Sequence, residues 1–371
     1  MFEIVYLMDV DWDWIKQRPQ FLAERLSQIY EVHVFCRTFP ITLLTKSSHK
    51  TKANNVNVHR FYTLPFSFKK GIYFINKIYL KLYFWFFLKK YNPEFLWIPF
   101  PILYEFIPKN KYKIIYDCMD DYTEFGFNSY YNKKIEKCEE RLIDDSSIIF
   151  ASSQNLYKKL NEKYNKKIQD KIFIIRNAFD GLIFENQPEK EEELKEKPLF
   201  KIGYVGTVSS WLDFEILEKT LQQFKEIEYH IIGPVYEEVS GVTTNERIIF
   251  HGSVEHDKLY SHVKEYDCMI MPFKLNDLIS SVDPVKLYEY INYNKPIISI
   301  YYDEIKRFSP FVNFYSDEPE MIEVLSNLIN QNFPKKYSEE DRTKFLEKNS
   351  WNNRISQIIG HINSINLKKD K

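Results

Sequence analysis

The chain has 371 residues, more than a single hydrophobic core usually holds, so its length predicts two domains. Its formal net charge is −1, which gives no overall attraction to nucleic acid, and we expect no nucleic-acid partner. The four cysteines form no CxxC pair, which argues against a zinc site or a disulfide framework and agrees with a reducing cytoplasm: Cys36, Cys118, Cys138 and Cys268.

The first half of the chain alternates strand-like and helical patterns. This rhythm is typical of a parallel sheet with helical crossovers. The predicted strands are Phe2–Leu7, Val32–Phe35, Val56–Phe61, Phe95–Ile98, Lys113–Tyr116, Ile148–Ala151 and Ile172–Ile175.

A second series of the same kind follows the charged segment Glu189–Lys197, whose composition predicts a solvated loop. Its strands are Lys201–Val205, Tyr229–Ile232, Ile248–His251, Cys268–Met271, Ile297–Ile300 and Phe311–Tyr315. The sequence thus predicts an α/β protein with two Rossmann-like domains, at 1–179 and 180–350. A helix within 351–371 is expected to pack back on the N-terminal domain.

The start of the chain holds carboxylates at positions 3, 9, 11 and 13, so no signal peptide is predicted. The first strand leads into Asp11, Trp12 and Trp14 and then a helix with Arg18. This turn has no GxGxxG pattern, which argues against a dinucleotide cofactor. The tryptophans beside carboxylates indicate either a sugar-binding surface or packing beneath the domain interface, and the pattern does not decide between them.

The segment Phe66–Tyr91 interleaves aromatic residues with lysines and is too short and too charged to span a bilayer. A basic aromatic helix fits contact with the surface of a membrane. Alternatively, Ile75, Ile78, Leu82 and Trp85 recur at helical spacing, which predicts a buried face packed on the sheet.

The strand at Lys113–Tyr116 is followed by Asp117, Asp120 and Asp121 at its carboxyl end. A carboxylate there can act as a general base, taking the proton from an attacking hydroxyl group. Metal binding and turn capping are the alternatives for adjacent aspartates.

The stretch 267–300 predicts a strand, a loop, a helix from Pro284 to Asn292 and another strand. Asp283 is predicted to cap this helix, with Pro284 at its first position. The helix N-terminus favours a phosphate, and Lys286 and Glu289 lie on one helix face. The two side chains could therefore hold the diphosphate and the ribose of one nucleotide, or form a surface ion pair.

Several motifs of the chain, in this order and spacing, resemble those of GT-B glycosyltransferases of family 4, and of the teichuronic-acid type in particular. The N-terminal ones are WDWIKQRPQFLAERL, IIYDCMDDYTEF, IIFASSQNL and FIIRNAFD. The C-terminal ones are YVGTVSSWLDFEIL, YHIIGP, IIFHGSV, YDCMIMPF, SVDPVKLYEYINYNKPIIS and SWNNRISQI. The resemblance covers most of the chain and implies two Rossmann-like domains facing each other across a cleft.

The resemblance also implies roles for individual residues. A nucleotide-sugar donor would bind the C-terminal domain, with Lys286 at the phosphates and Glu289 at the ribose. The other implied donor-binding residues are Gly206, Thr207, His251, Gly252, Val254, Ser281, Pro284 and Val285. Asp120 lies where many family members have a histidine and is the leading candidate for the base, with Asp121 second. Asp11, Trp12, Trp14 and Arg18 would contact the acceptor or line the cleft.

Two departures from the family pattern affect the donor site. Ser281 stands where the family usually has an acidic residue, and the basic residues expected after the YVG strand are absent. Fewer cations would then meet the phosphates. The alternatives are greater reliance on the helix dipole, a different donor sugar, or Arg18 or Arg176 reaching across the cleft. The stereochemical outcome is left open.

These observations together predict a cytoplasmic glycosyltransferase, also at the inner face of the cell membrane if 66–91 contacts lipid. It would move a sugar from a nucleotide-diphosphate sugar to a glycan or lipid-linked glycan in cell-surface polysaccharide synthesis, without a cofactor or metal. Two alternatives stay open: a nucleotide-sugar epimerase of the same architecture, and a noncatalytic nucleotide-sugar-binding scaffold subunit.

Overall fold

The protein is seen in a computed structural model that describes the chain with several gaps. The described residues are 2–38, 55–66, 69–108, 112–125, 127–184, 199–236, 239, 241, 243–255 and 258–367. The predicted loop Glu189–Lys197 and positions 67 and 68 of the aromatic segment lie outside them.

The first sheet has seven parallel strands in the order β3-β2-β1-β4-β5-β6-β7. They are β1 Glu3–Met8, β2 Glu31–Thr38, β3 Asn57–Tyr62, β4 Phe95–Ile98, β5 Lys113–Cys118, β6 Ser146–Ala151 and β7 Ile172–Ile174.

The second sheet has six parallel strands in the order β10-β9-β8-β11-β12-β13. They are β8 Phe200–Val205, β9 Ile227–Ile232, β10 Ile248–Gly252, β11 Cys268–Met271, β12 Ile297–Ile300 and β13 Val312–Tyr315.

The predicted α/β class with two parallel sheets is confirmed, and each predicted strand is present with its ends shifted by at most three residues. The strands were readily predicted from the sequence because the central ones are buried on both faces. All four residues of β4 and of β11 are buried, for example. Such strands read as short continuous apolar runs.

Eleven α-helices connect or cover the strands in the described part of the chain. They are α1 Arg18–Leu26, α2 Lys70–Tyr91, α3 Ser129–Asp145, α4 Gln154–Tyr164, α5 Phe214–Gln223, α6 Leu259–Val263, α7 Asp277–Ser280, α8 Val285–Asn292, α9 Glu318–Asn330, α10 Glu339–Lys348 and α11 Trp351–Leu367.

The chain divides into two compact units, one for each sheet. The first contains Met1–Asn177 together with Trp351–Lys371, and the second contains Ala178–Ser350. The last helix belongs to the first unit because α11 packs on α1 and β6. Trp351 is fully buried there, with its ring stacked on Phe21 at 5.4 Å between centroids.

The long helix α2 buries a different face from the one predicted. Ile75, Ile78, Leu82 and Trp85 are between 50% and 66% exposed. The opposite side of the helix packs against the first unit, through Tyr73, Asn76, Leu80, Phe84 and Leu88. The predicted buried stripe is therefore wrong, because both sides of α2 are apolar and periodicity alone cannot distinguish them.

Candidate functional site

Both sheets reverse their strand order beside their first strand, between β1 and β4 and between β8 and β11. In open α/β sheets, ligands bind at the carboxyl ends of the strands at such a switch point. Most of the predicted site residues lie at or just beyond strand ends, and the two units are described in turn.

In the second unit, the backbone leaves β8 at Gly206 and passes directly under Lys286. A Cβ atom on Gly206 would lie 2.0 Å from Cε of Lys286. Gly206 also has a φ of +145°, which side-chain-bearing residues rarely adopt. Only glycine therefore allows the chain and the lysine to approach this closely.

A second glycine, absent from the predicted site, supports the first. Gly233 follows β9, has a φ of +146°, and a Cβ there would lie 2.0 Å from the carbonyl oxygen of Gly206. The amide of Gly206 donates to Ile232 O at 2.8 Å, and that of Gly233 donates to Gly252 O at 2.8 Å. The ends of β8, β9 and β10 are thus joined through backbone hydrogen bonds. A glycine directly after a strand was the sequence signal that could have identified Gly233.

Lys286 lies in the first turn of α8, half-buried, with Nζ 5.9 Å from the centroid of the Tyr204 ring. Burial lowers the pKa of Lys286, and the nearby Glu289 carboxylate opposes that shift. Glu289, three residues further on, is also half-buried. The protein only partly offsets the cost of burying the charged ammonium group of Lys286, so a bound anion would stabilise this charge.

The start of α8 differs from the prediction. The N-cap residue is Pro284 rather than Asp283, and no side chain caps the helix. Asp283 is buried and forms an ion pair with Arg307, which also donates to the Tyr288 hydroxyl at 3.0 Å. The capping prediction was wrong because Asp283 pairs with an arginine 24 positions away. The N-cap residue itself makes no side-chain hydrogen bond to the first turn of α8, where a helix favours an anion.

The remaining predicted donor residues are only partly brought together. Gly252 is linked to Gly206 through Gly233, as described above. His251 is exposed and contacts His230, with Nε2 of His251 2.8 Å from Nδ1 of His230. Ser281 is buried, and its hydroxyl donates to Asp277 O at 3.0 Å. Four predicted donor-binding residues have no described contact with Lys286. Thr207 follows β8, Val254 follows β10, and Pro284 and Val285 lie at the start of α8.

In the first unit, two adjacent carboxylates beyond β5 have different environments. Burial raises the pKa of Asp120 to about 7, an effect that Arg18 opposes and that Asp121 and Asp117 reinforce. Asp121 accepts hydrogen bonds from Lys159 at 2.9 Å and from Thr123 at 2.7 Å. Burial tends to raise the pKa of Asp121, but these hydrogen bonds lower it below its usual value. Asp120 is therefore the better proton acceptor near neutral pH.

Arg18 is 4% exposed and holds the strand that carries these carboxylates. Its Nε and Nη2 donate to the buried Asp117 at the end of β5, the shortest distance being 2.7 Å. Its Nη1 donates to Ile175 O at 2.8 Å and contacts Asn177 at 3.3 Å. The guanidinium is engaged within its own unit, which argues against the predicted contact of Arg18 with a ligand.

The two tryptophans after β1 lie in different environments. Trp12 is 1% exposed, which favours the packing alternative over a sugar-binding role for its ring. Trp14 is 47% exposed and remains available to a ligand. Asp11 accepts a hydrogen bond from the Asp13 amide at 2.9 Å and one from the Thr38 hydroxyl, which ties it to its own turn and to β2.

A small cavity with a mostly apolar lining lies beside the ends of β1, β2 and β3, and no sequence pattern predicted it. Its volume is about 20 Å³, enough for one water molecule or hydroxyl group. Asp9, Thr63 and Tyr73 line it and have polar atoms without a hydrogen-bond partner in the described structure. Burial raises the pKa of Asp9 to about 6, and Arg37, which donates to its carboxylate at 2.9 Å, opposes the shift.

The described residues contain no group of three or more histidine, cysteine, aspartate or glutamate side chains arranged to hold a metal ion.

Comparison with solved structures identifies the fold. A sucrose-phosphate synthase from Thermosynechococcus elongatus matches 99% of this chain and 100% of its own, with a TM-score of 0.76 and 10% identity. The Anabaena protein HepE, solved with UDP and glucose, matches 98% of this chain and 100% of its own, with a TM-score of 0.69 and 12% identity. The chain has the GT-B fold. At these identities, the similarity to GT-B structures is one of fold.

Comparison at the level of sequence gives a weaker but consistent result. No family model matches the chain. A Bacillus subtilis (strain 168) protein, TuaH, is 22% identical over 265 residues and is named provisionally as a teichuronic acid biosynthesis glycosyltransferase. The match spans 67% of this chain and 66% of TuaH, slightly under two thirds of that relative's length.

Proposed function

We propose that this protein transfers a sugar from a nucleotide-diphosphate sugar to a glycan or lipid-linked glycan in the synthesis of a cell-surface polysaccharide. The observation that carries the proposal is the position of Lys286 over Gly206, at the switch point of the second sheet and the uncapped start of α8. A half-buried cation, the positive end of a helix and close backbone approach are the features that bind a diphosphate.

The donor would bind with its diphosphate at Lys286 and its ribose at Glu289, on one face of α8. The HepE structures with UDP and with UDP-glucose support a donor of this class, since that protein shares the fold. Lys286 and the helix dipole would supply the positive charge at the phosphates. The mechanism proposed here uses no cofactor and no metal.

The acceptor would bind the first unit, near the carboxyl ends of β1 and β5. In an inverting reaction, Asp120 would take the proton from the acceptor hydroxyl as its oxygen attacks the anomeric carbon, and the nucleotide diphosphate would leave. The pKa of about 7 supports this role, because a base with a pKa near the working pH is the most effective. Arg18 and Asp117 would act as positioning residues by fixing the end of β5.

We further propose a cytoplasmic location, at the inner face of the cell membrane when the acceptor is lipid-linked. Nucleotide sugars are charged and water-soluble, whereas a lipid-linked glycan stays at the bilayer. The exposed aromatic face of α2 supports this placement.

Calorimetric titration with UDP, GDP, TDP and their sugar conjugates tests the donor site. Lys286→Ala is expected to weaken binding of the preferred nucleotide by about 1.5 to 3 kcal/mol, or roughly 10- to 150-fold, because a charged hydrogen bond is lost. Lys306→Ala, at an exposed lysine on the 3-10 helix Asp303–Phe308, is the control and should bind like the parent. Equal affinity in parent and a folded Lys286→Ala variant would remove Lys286 from the donor site.

A further inference from the structure

The outer face of α2 is apolar, although it is exposed. The helix has 22 residues, and its buried side packs on the first unit. Large apolar side chains that are between 43% and 66% exposed cover the other side: Phe74, Ile75, Ile78, Tyr79, Leu82, Trp85 and Phe86. Helices on the surface of globular proteins usually have polar residues on this side.

The exposed apolar area is unusually large for one surface helix. Seven half-exposed large side chains present on the order of 700 Å², above the few hundred Å² of a typical largest patch. Phe66, 57% exposed, and Leu64, 45% exposed, lie just before the helix. A surface of this size is typical of an interaction site rather than of chance exposure.

The charges on α2 are all positive. The helix sequence KGIYFINKIYLKLYFWFFLKKY contains no acidic residue. Within the described residues, four of its lysines have no carboxylate at ion-pair distance: Lys70, Lys81, Lys89 and Lys90. Lys77 is different, because it lies 2.5 Å from Glu105. The lysines without a carboxylate partner border the apolar face or extend it at its C-terminal end.

We propose that this face of α2 docks onto an anionic lipid bilayer. Aromatic and aliphatic side chains bury in the boundary between head groups and acyl chains, while flanking lysines contact anionic phosphates. The helix would lie flat over about 33 Å, since each residue adds about 1.5 Å. None of the described helices combines the length and apolarity needed to cross a membrane.

Charge favours lipid over a second copy of this chain. Two copies meeting through the same face would bring two sets of unpaired lysines together, which is unfavourable. An anionic bilayer instead offers negative charge around an apolar interior. The arrangement therefore matches a lipid surface better than self-association.

Docking through α2 would also place the candidate acceptor region near the bilayer. The inner side of the helix contributes Tyr73, Asn76 and Leu80 to the cavity that contains Asp9. This consequence rests on the proposed function, but lipid binding itself needs no transferase activity. Experiments can therefore contradict lipid binding by α2 without contradicting the proposed sugar transfer, and the reverse.

Sedimentation with phosphatidylcholine vesicles, with and without phosphatidylglycerol, tests the proposal on the full chain. The parent should sediment with the anionic vesicles only. Changing Lys70, Lys81, Lys89 and Lys90 to Gln should lower the partition coefficient by roughly 10² to 10³-fold, from about 1 kcal/mol for each lysine. The variant Leu82→Ser with Trp85→Ser should lose at least tenfold without any change in charge.

Four lysines exposed on the second unit provide a matched control: Lys225, Lys264, Lys335 and Lys348. Changing these four to Gln alters the net charge equally and should leave vesicle binding intact. Circular dichroism should show native folding in every variant, since all the changed side chains are exposed. A parent that does not sediment with anionic vesicles would overturn the proposal. So would a control set that loses as much binding, or a parent dimer that the serine variant dissociates without any lipid binding.

Discussion

At the scale of single residues, Asp120 and Asp121 form a pair of carboxylates with opposite pKa shifts. Asp120→Asn keeps the shape but removes the basicity, so the turnover rate should fall by about 10² to 10⁴-fold while donor affinity barely changes. Asp121→Asn should stay within about tenfold of the parent, because Lys159 and Thr123 already hold that side chain. A large loss of turnover in the Asp121 variant alone would instead assign the role of general base to Asp121.

The same residue predicts the pH dependence of turnover. The base must be deprotonated, and the pKa of Asp120 is raised to about 7 by burial. The rate should therefore fall as the pH falls below about 7, and this limb should disappear in Asp120→Asn. A parent rate that is flat between pH 6 and pH 8 would contradict the assignment.

Gly206 gives a second test at this scale. Gly206→Ala should displace Lys286 and force an unfavourable φ, costing about 1 to 3 kcal/mol of the unfolding free energy and weakening nucleotide binding. Gly241→Ala is the matched control, because Gly241 also has a positive φ of +77° but no atom within 4 Å of a Cβ. Denaturant unfolding and calorimetry measure the two effects. Parent-like nucleotide affinity in Gly206→Ala would show that the close approach does not matter for binding.

At the scale of elements, the two units repeat a histidine pair. In the first unit, Nδ1 of His33 on β2 lies 3.1 Å from Nε2 of His59 on β3. In the second unit, His230 on β9 and His251 on β10 form the same contact. Each first histidine also contacts a glutamate two residues earlier in its strand, Glu31 or Glu228.

The pair in the first unit predicts a dependence of stability on pH. Burial lowers the pKa of both His33 and His59; Glu31 opposes the shift at His33, and Lys90 adds to it at both. The unfolded chain therefore binds more protons than the folded chain. The unfolding free energy is highest above about pH 6.5, the pKa of histidine in the unfolded chain, and falls as the pH decreases below that value. His59→Gln should flatten this fall in denaturant titrations. An unchanged slope would show that the pair does not carry the effect.

The elements also show what the sequence could and could not predict. The strands were predictable because their apolar runs are short, continuous and bounded by turns. The buried face of α2 was not, because both its sides are apolar. The cap of α8 was not, because Arg307 lies far along the chain and takes the carboxylate of Asp283. Contacts between distant positions decided both cases.

At the scale of the whole molecule, the chain builds two similar units and then returns to the first. Residues 351–367 close the first unit through Trp351, although they follow the second unit in sequence. Among the candidate site residues, the sequence identified the strand ends and the start of α8. It missed Gly233 and the Asp9 cavity. It left the role of Trp12 open and placed Arg18 at the acceptor or the cleft, although both side chains are buried. A residue type indicates chemistry, but burial decides whether a ligand can reach it.

The central claim is sugar transfer, and turnover of a panel of nucleotide-diphosphate sugars with and without a bacterial lipid extract tests it most directly. One donor should release its nucleotide diphosphate, only when the extract is present, with the sugar appearing in the lipid fraction. Conversion of a donor to an isomeric nucleotide sugar without extract would instead indicate an epimerase. Binding of a donor with no turnover under any condition would indicate a scaffold subunit, and either result would contradict the claim.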